Sequence, residues 1–160
     1  GLEGAKLVFV GDGNNVARSL ALASALLGVE FVLAAPPGYE YPVEFRRRYE
    51  ERFPDLPLIV EHDPREAVRG AQAVYTDVWA SMGQEHEAIL RKRAFHAYQV
   101  NEQLFAIARG DAIFMHCLPA HRDEEVEAAV IDGPQSVVFD EAENRLHAQK
   151  GVLLWALGAG

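Results

Sequence analysis

An aspartate, Asp77, stands near the end of an apolar run, AVYTDVW, where burying an unpaired carboxylate would be costly. Two readings of it are open. Either it caps the following loop through Ser81 and nearby N–H groups, or it receives a cationic group of a ligand. Ser81, Met82 and Gly83 form a short loop ahead of a helical pattern, where exposed N–H groups suit a carboxylate. Met82 alone reads as apolar filler. An amine at Asp77 and a carboxylate on the neighbouring N–H groups together describe an α-amino acid ligand.

A second group is HCLPAHR at 116–122. His116 and Cys117 are adjacent, so in a strand their side chains point to opposite faces, which argues against a direct Cys-His pair. The spacing of His116, Cys117 and His121 matches no common metal site, and no metal is expected. Cys117 is either an inert core cysteine or, with cationic neighbours, a thiolate. Arg145 lies in the first turns of the last helix, either as an exposed solubilising residue or as an anion ligand. Gly11 and Gly13 of GDGNNVA partly match a dinucleotide fingerprint. The second strand, however, ends in Ala34, Ala35 and Pro36 where an acid should hold the ribose, which argues against a nucleotide and against a dehydrogenase. No cofactor is expected.

Positioning these residues requires strands that end near one another. KLVFV (6–10), VEFVLAA (29–35), LPLIVEH (56–62), AVYTDVW (73–79), DAIFMHCLP (111–119) and PQSVVF (134–139) read as six strands. Between them lie helical segments. The first is capped by Asn14 or Asn15, carries Val16, Leu20, Ala23, Leu26 and Leu27 on one side, and ends at Gly28. Others run over 43–52, from Asp63-Pro64, over 84–95, over 102–108, over the acidic stretch 123–129, and over 141–157. Alternation of this kind predicts an α/β domain, a Rossmann-like open parallel sheet with helices on both faces. Ligands of such sheets bind beyond the carboxyl ends of the strands. There lie Gly11 to Asn15, Asp77 to Gly83, His116 to His121 and Asp140 to Arg145, so one site is expected.

The 160 residues fit one domain, and one cysteine excludes a disulfide framework and fits a reducing compartment. A net charge of -9 argues against nucleic acid, and Arg46, Arg47 and Arg48, set among acidic residues, read as an exposed helix face. No apolar run approaches the ~18 residues that would cross a membrane, and no leader pattern is visible, so the expected location is cytoplasmic.

Taken in order, GDGNN at 11–15, DVWASMG at 77–83, HCLPAHR at 116–122 and EAENR at 141–145 resemble the C-terminal, ornithine-binding domain of the aspartate/ornithine carbamoyltransferase family, over nearly the whole chain. HCLP together with DxWxSMG is specific; aspartate-using relatives tend to carry HPLP, and putrescine-using ones lack the SMG loop. The resemblance implies transfer of the carbamoyl group of carbamoyl phosphate to the δ-amine of L-ornithine, giving L-citrulline for arginine biosynthesis. It implies that Asn15 holds the ornithine carboxylate with the Met82 N–H, and that Asp77 and Ser81 position the α-amine. Cys117 is implied as the active-site thiol, which with Asp77 favours loss of a proton from the amine. The Leu118 carbonyl and Arg145 are implied, with Cys117, as contacts of carbamoyl phosphate. N-acetylornithine users and a non-catalytic amino-acid-binding module remain the competing readings.

The family's Ser-x-Arg-Thr-Arg loop and His-Pro-x-x-Gln segment, which clamp carbamoyl phosphate, do not occur in the sequence. Residues 1–160 are therefore expected to be the ornithine-binding half, inactive without an N-terminal carbamoyl-phosphate-binding domain. The parent is expected to be a homotrimer and the isolated half a monomer, with the apolar end GVLLWALGAG a candidate contact face.

Overall fold

Runs of β-branched and apolar residues too short for helices, closed by glycine or proline, become the strands of one sheet. The computed structural model describes residues 1–80 and 87–158. Its strands are β1 (Lys6–Val10), β2 (Glu30–Ala34), β3 (Ile59–Glu61), β4 (Ala73–Thr76) and β5 (Ile113–His116). All pair in parallel, in the order β3-β2-β1-β4-β5. The chain leaves β1 for β2 on one side and returns to β4 on the other, so the topological switch point lies between β1 and β4.

Strand alternation divides the interior in two. Val8, Val10, Val32 and Val74 face α3 (Pro64–Val68), α4 (Ala88–Phe95), α5 (Glu102–Phe105) and α6 (Ala128–Ile131). Phe9, Phe31, Leu33 and Tyr75 face α1 (Asn15–Leu27) and α2 (Val43–Arg52). Phe9 is wholly buried and stacks on Tyr75 at 5.7 Å between ring centroids, a contact that adds about 1 kcal/mol to its burial. The expected α/β sheet covered on both faces is what forms.

The caps also form as their residue types dictate. The Asn14 side chain accepts from the Val16 and Ala17 N–H groups, Asp63 caps α3 with Pro64 in its first turn, and Gly28 ends α1 at φ 69°. The face of α1 differs from expectation. Ala17, Ala21 and Ser24 are its buried residues while Leu26 and Leu27 are exposed, because small side chains let the helix lie close against the sheet. Arg47 and Arg48 pair with Glu44 on the exposed face of α2, as their neighbours suggested.

Two expected elements do not form. Of the acidic stretch 123–129 only Ala128 and Ala129 are helical, as the start of α6; residues 123–126 form a turn and a bridge, because Asp123 adopts φ 67°, Glu125 is turned wholly inward, and Val126 makes bridges to Val100 and Arg122. The sixth strand reduces to one bridge, Phe114 to Ser136. Two backbone bonds hold it: Phe114 N–H donates to the Gln135 carbonyl at 2.9 Å, and Val137 N–H to the Phe114 carbonyl at 3.0 Å. Helix α7 (Val138–Ala156) then begins, and the next N–H along that edge of β5, that of His116, donates to the Glu141 carboxylate at 3.2 Å. A side chain from the first turn of α7 thus does what a strand carbonyl would have done.

Beyond its first turns α7 leaves the sheet. Only Val138 is buried along it, and Leu146, Val152, Leu153, Leu154, Trp155 and Leu157 are exposed, Trp155 by 82%. Among the described residues no helix is long and apolar enough to cross a membrane.

The glycines of the first loop have different work. A Cβ at Gly13 would sit 2.7 Å from the Glu40 and Tyr41 backbone, and Gly13 N–H donates to the Tyr39 carbonyl at 2.8 Å. The space that a dinucleotide fingerprint keeps for pyrophosphate is filled here by the protein's own chain. At Gly11 the nearest atom, at 2.8 Å, belongs to the Phe9 ring. Gly13→Ala should therefore cost about 1–3 kcal/mol in urea unfolding, and more than Gly11→Ala, whose neighbour is a side chain that can shift. Equal losses would mean that the Tyr39–Tyr41 segment yields.

Candidate active site

The carboxyl ends of β1, β4 and β5 bring three loops to one carboxylate. Asp77, directly after β4, accepts from the Asn14 Nδ2 at 3.0 Å, from its neighbour Val78 N–H at 2.8 Å and from the Cys117 thiol at 3.1 Å. The burial that made an unpaired Asp77 implausible is answered by donors from all three loops. Of the two readings open for it, loop capping operates through Val78; Ser81 and Met82 lie outside the described residues.

A second set of contacts ties the same loops together from behind. The Arg91 guanidinium, on α4, donates to Asp12 at 2.7 Å and to the Trp79 carbonyl at 3.0 Å, and lies 5.3 Å from the Tyr39 ring centroid. Both charges are largely buried, with side-chain exposures of 8% and 17%. Burial pushes the Asp12 carboxyl above its ordinary range even though Arg91 pulls the other way.

The fourth segment joins through Glu141. One of its oxygens accepts from the Tyr75 hydroxyl at 2.6 Å, the other from His116 N–H. All four strand-end segments singled out in the sequence are therefore in hydrogen-bonded contact, and one site is the outcome.

Beside them opens a cleft of about 1110 Å³, lined among others by Asn15, Tyr75, Cys117, Leu118, Glu141 and Arg145. Asn15, Cys117, Leu118 and Arg145 thus share one cleft, with Asp77 bonded to the thiol. Leu118 has φ 54°, a left-handed conformation that costs a non-glycine residue about 1–3 kcal/mol. Its N–H is held by His116 Nδ1 at 2.9 Å.

His116 and Cys117 do point to opposite faces. With Nδ1 accepting from Leu118, the imidazole carries its proton on Nε2 and directs it at Glu125, 3.2 Å away, both side chains wholly buried. Glu125 also accepts from the His121 N–H. Its burial works to raise the carboxyl pKa, but these donors outweigh it and hold the group below its ordinary value. His121, Glu124 and Glu125 offer ligand atoms within 4.8 Å of one another, the one such group among the described residues, but Glu124 is engaged by Lys92 at 2.7 Å and Glu125 by His116. They serve as a brace for the HCLP loop.

Of the two readings open for Cys117, the described residues favour the neutral thiol over the thiolate. Burial first, then the negative charge and hydrogen bond of Asp77, then Glu141, push the thiol from its ordinary 9.0 up to about 12. Its nearest charges among the described residues, Asp77 and Glu141, are anionic where a thiolate would need cations, and Cys117 serves as a hydrogen-bond donor to Asp77.

Residues 3–156 match the family described as aspartate/ornithine carbamoyltransferase, Asp/Orn binding domain. The chain belongs to that family. It is 55% identical over 161 residues to an ornithine carbamoyltransferase of Methanothermobacter thermautotrophicus, covering 99% of this chain and 53% of that protein. A Symbiobacterium thermophilum ornithine carbamoyltransferase is 58% identical over 155 residues, 95% of this chain and 50% of that protein. The structure of ornithine carbamoyltransferase from Pyrococcus furiosus superposes with a TM-score of 0.88 at 52% identity, over 96% of this chain and 50% of that one. The chain thus spans about half the length of the curated relatives it matches.

Sequence reasoning about this carbamoyltransferase domain missed Asn14 as the partner of Asp77, the Asp12–Arg91 pair, and Tyr75 with Glu141. Arg91 sits in a charged helical stretch and reads as solvated. Tyr75 reads as a plain strand aromatic.

Two outcomes are expected. Arg91→Met leaves Asp12 buried without its cation and should cost about 3–5 kcal/mol, read as a fall in the urea midpoint; a loss below 1 kcal/mol would show that the loops do not depend on the pair. Because the Cys117 pKa is raised, its neutral form favours the fold fully below pH 9 and that contribution is lost as pH rises through about 12. Alkylation by iodoacetamide at pH 8 should accordingly be on the order of 1000-fold slower than for a free thiol, with Asp77→Asn recovering part of the rate. Free-thiol reactivity in the unaltered chain would contradict this.

Proposed function

We propose that this chain is the ornithine-binding half of an ornithine carbamoyltransferase, which transfers the carbamoyl group of carbamoyl phosphate to the δ-amine of L-ornithine to give L-citrulline and phosphate. The observation that carries the reading is the cleft in which Asn15, Cys117, Leu118 and Arg145 meet, with the Asp77 carboxylate directly behind the thiol. Asn15 and the Met82 N–H take the substrate carboxylate, and Asp77 with Ser81 takes the α-amine. The Leu118 carbonyl and Cys117 face the carbamoyl group, and Arg145 faces the phosphate.

In the reaction the uncharged δ-amine attacks the carbamoyl carbon. A C–N bond forms, the tetrahedral intermediate collapses, and the C–O bond breaks with its electron pair leaving on phosphate. Nitrogen gives up one proton before attack and another during collapse. A neutral thiol hydrogen-bonded to Asp77 fits this chemistry: it presents polarity to the reacting amine without competing as a nucleophile. Most of the acceleration comes from holding two polar substrates in line and from cations around the leaving phosphate.

One arginine is too little for a dianionic phosphate, and the other cations belong to a carbamoyl-phosphate-binding domain outside these residues. The exposed apolar side chains of α7, Leu154 and Trp155 among them, are the surface which that half covers. On this reading residues 1–160 are inactive and monomeric alone, and the complete protein is a cytoplasmic homotrimer.

The test is calorimetric titration of the chain with L-ornithine, putrescine and N-acetylornithine. Ornithine should bind and putrescine, which lacks the α-carboxylate, should bind at least tenfold more weakly. Preference for N-acetylornithine would reassign the substrate, and binding of none would mean that no amino-acid half-site stands preformed here.

A further inference from the structure

Glu141 was singled out by nothing but its place in EAENR, yet it lines the same cleft as Cys117 and Arg145. Tyr75 and the His116 N–H fix both of its oxygens, one each, while a carboxylate offers about four acceptor positions. Roughly half of its capacity therefore stays open on a residue that lines the cavity. The charged and titratable groups around the thiol are Asp77, Glu141 and Tyr75, with Arg145 one helical turn beyond Glu141 on the same helix. Tyr75 is pushed well above its ordinary value, first by burial and then by its bond to Glu141, so it is a neutral donor. Among the described residues, the carboxylates beside Cys117 are thus Asp77, bonded to the thiol, and Glu141 in the cleft wall, with Arg145 the cation that lines the same cleft.

We propose that Glu141 is a specificity-determining residue: its carboxylate, held by Tyr75 and the His116 N–H, receives the amine end of a substrate side chain beside Cys117 and rejects amino acids whose side chain ends in an acid. The inference rests on the ornithine reading of the cleft and adds a second carboxylate to Asp77. An ammonium arriving at Cys117 meets opposite charge from both, whereas a side-chain carboxylate at the same place meets like charge from both, desolvated on one side by the sheet.

The single cysteine makes this measurable without any substrate. Its thiolate attacks the sulfenyl sulfur of a methanethiosulfonate, forming a mixed disulfide and releasing a sulfinate. Three such reagents differ in charge: trimethylammonioethyl, methyl and sulfonatoethyl. Modification is followed by mass spectrometry at low ionic strength. The ratio of cationic to anionic rate cancels changes in thiolate fraction, and the neutral reagent reports access. The cation should react about tenfold faster than the anion, and E141Q should cut that ratio about threefold or more. Tyr75→Phe, which keeps the charge and removes the hydrogen bond, should leave it nearly unchanged. An unaltered ratio in E141Q overturns the proposal. E141A repeats the measurement if E141Q does not fold.

A second comparison separates recognition from mere positioning. L-norvaline has the side-chain carbons of L-ornithine and no amine. E141Q should weaken ornithine binding at least fivefold and leave norvaline unchanged; equal weakening of both assigns Glu141 a structural role and overturns the proposal. If the unaltered chain binds neither amino acid, no amino-acid half-site stands preformed in it, and the thiol ratio still decides whether Glu141 sets the charge preference of the site.

Discussion

A carboxylate at the end of a buried strand imposes its needs on everything around it, and Asp77 does so here. It is tolerable only because an amide, a backbone N–H and a thiol reach it from three separate segments. Those donors come from beyond β1, β4 and β5, which are brought level only by the parallel register of the sheet. Asn14 shows how tightly the pieces are joined. Its oxygen caps α1 and its nitrogen holds Asp77, so the start of a helix and the centre of the site are set by one side chain.

The two faces of β5 separate support from chemistry. His116 turns one way into a wholly buried pair with Glu125, and Cys117 turns the other way into the cleft. Because the Leu118 N–H is held by the same imidazole, the strained residue that follows the thiol is braced by the buried pair. The Asp12–Arg91 pair plays the corresponding part on the other side, linking the first loop to the Trp79 carbonyl just ahead of the SMG segment. A lone buried charge in either place would be expensive; paired, each fixes a loop in one arrangement.

Much of this was legible in the sequence, and the reasons are local. Five apolar runs, the Asn14 and Asp63 caps and the Gly28 stop each state their structure within a few residues. The segments that would meet were also legible, since in a parallel sheet the carboxyl ends must share an edge. What stayed hidden depended on partners distant in sequence. Glu125 looks like any exposed acid until His116 is placed behind it, and its inward turn is what denies residues 123–127 their helix. PQSVVF has the composition of a strand, yet Glu141 competes for the edge of β5 and α7 starts instead. Arg91 reads as solvated until Asp12 and Tyr39 are found around it. The thiol's state was open because the charges that act on it, Asp77 and Glu141, come from other elements.

The substitution of Glu141 for a sixth strand has a consequence for how this region tolerates change in length. Only four residues separate the bridge at Ser136 from Glu141, and both are anchored to β5. A residue inserted or lost between them would turn α7 by about 100° about its axis. Arg145, carried one turn further on, would swing out of the cleft, and the apolar face of α7 would swing with it. The span 137–140 therefore acts as an angular gauge: side chains along it can vary, while its residue count sets which way nineteen residues of helix present themselves.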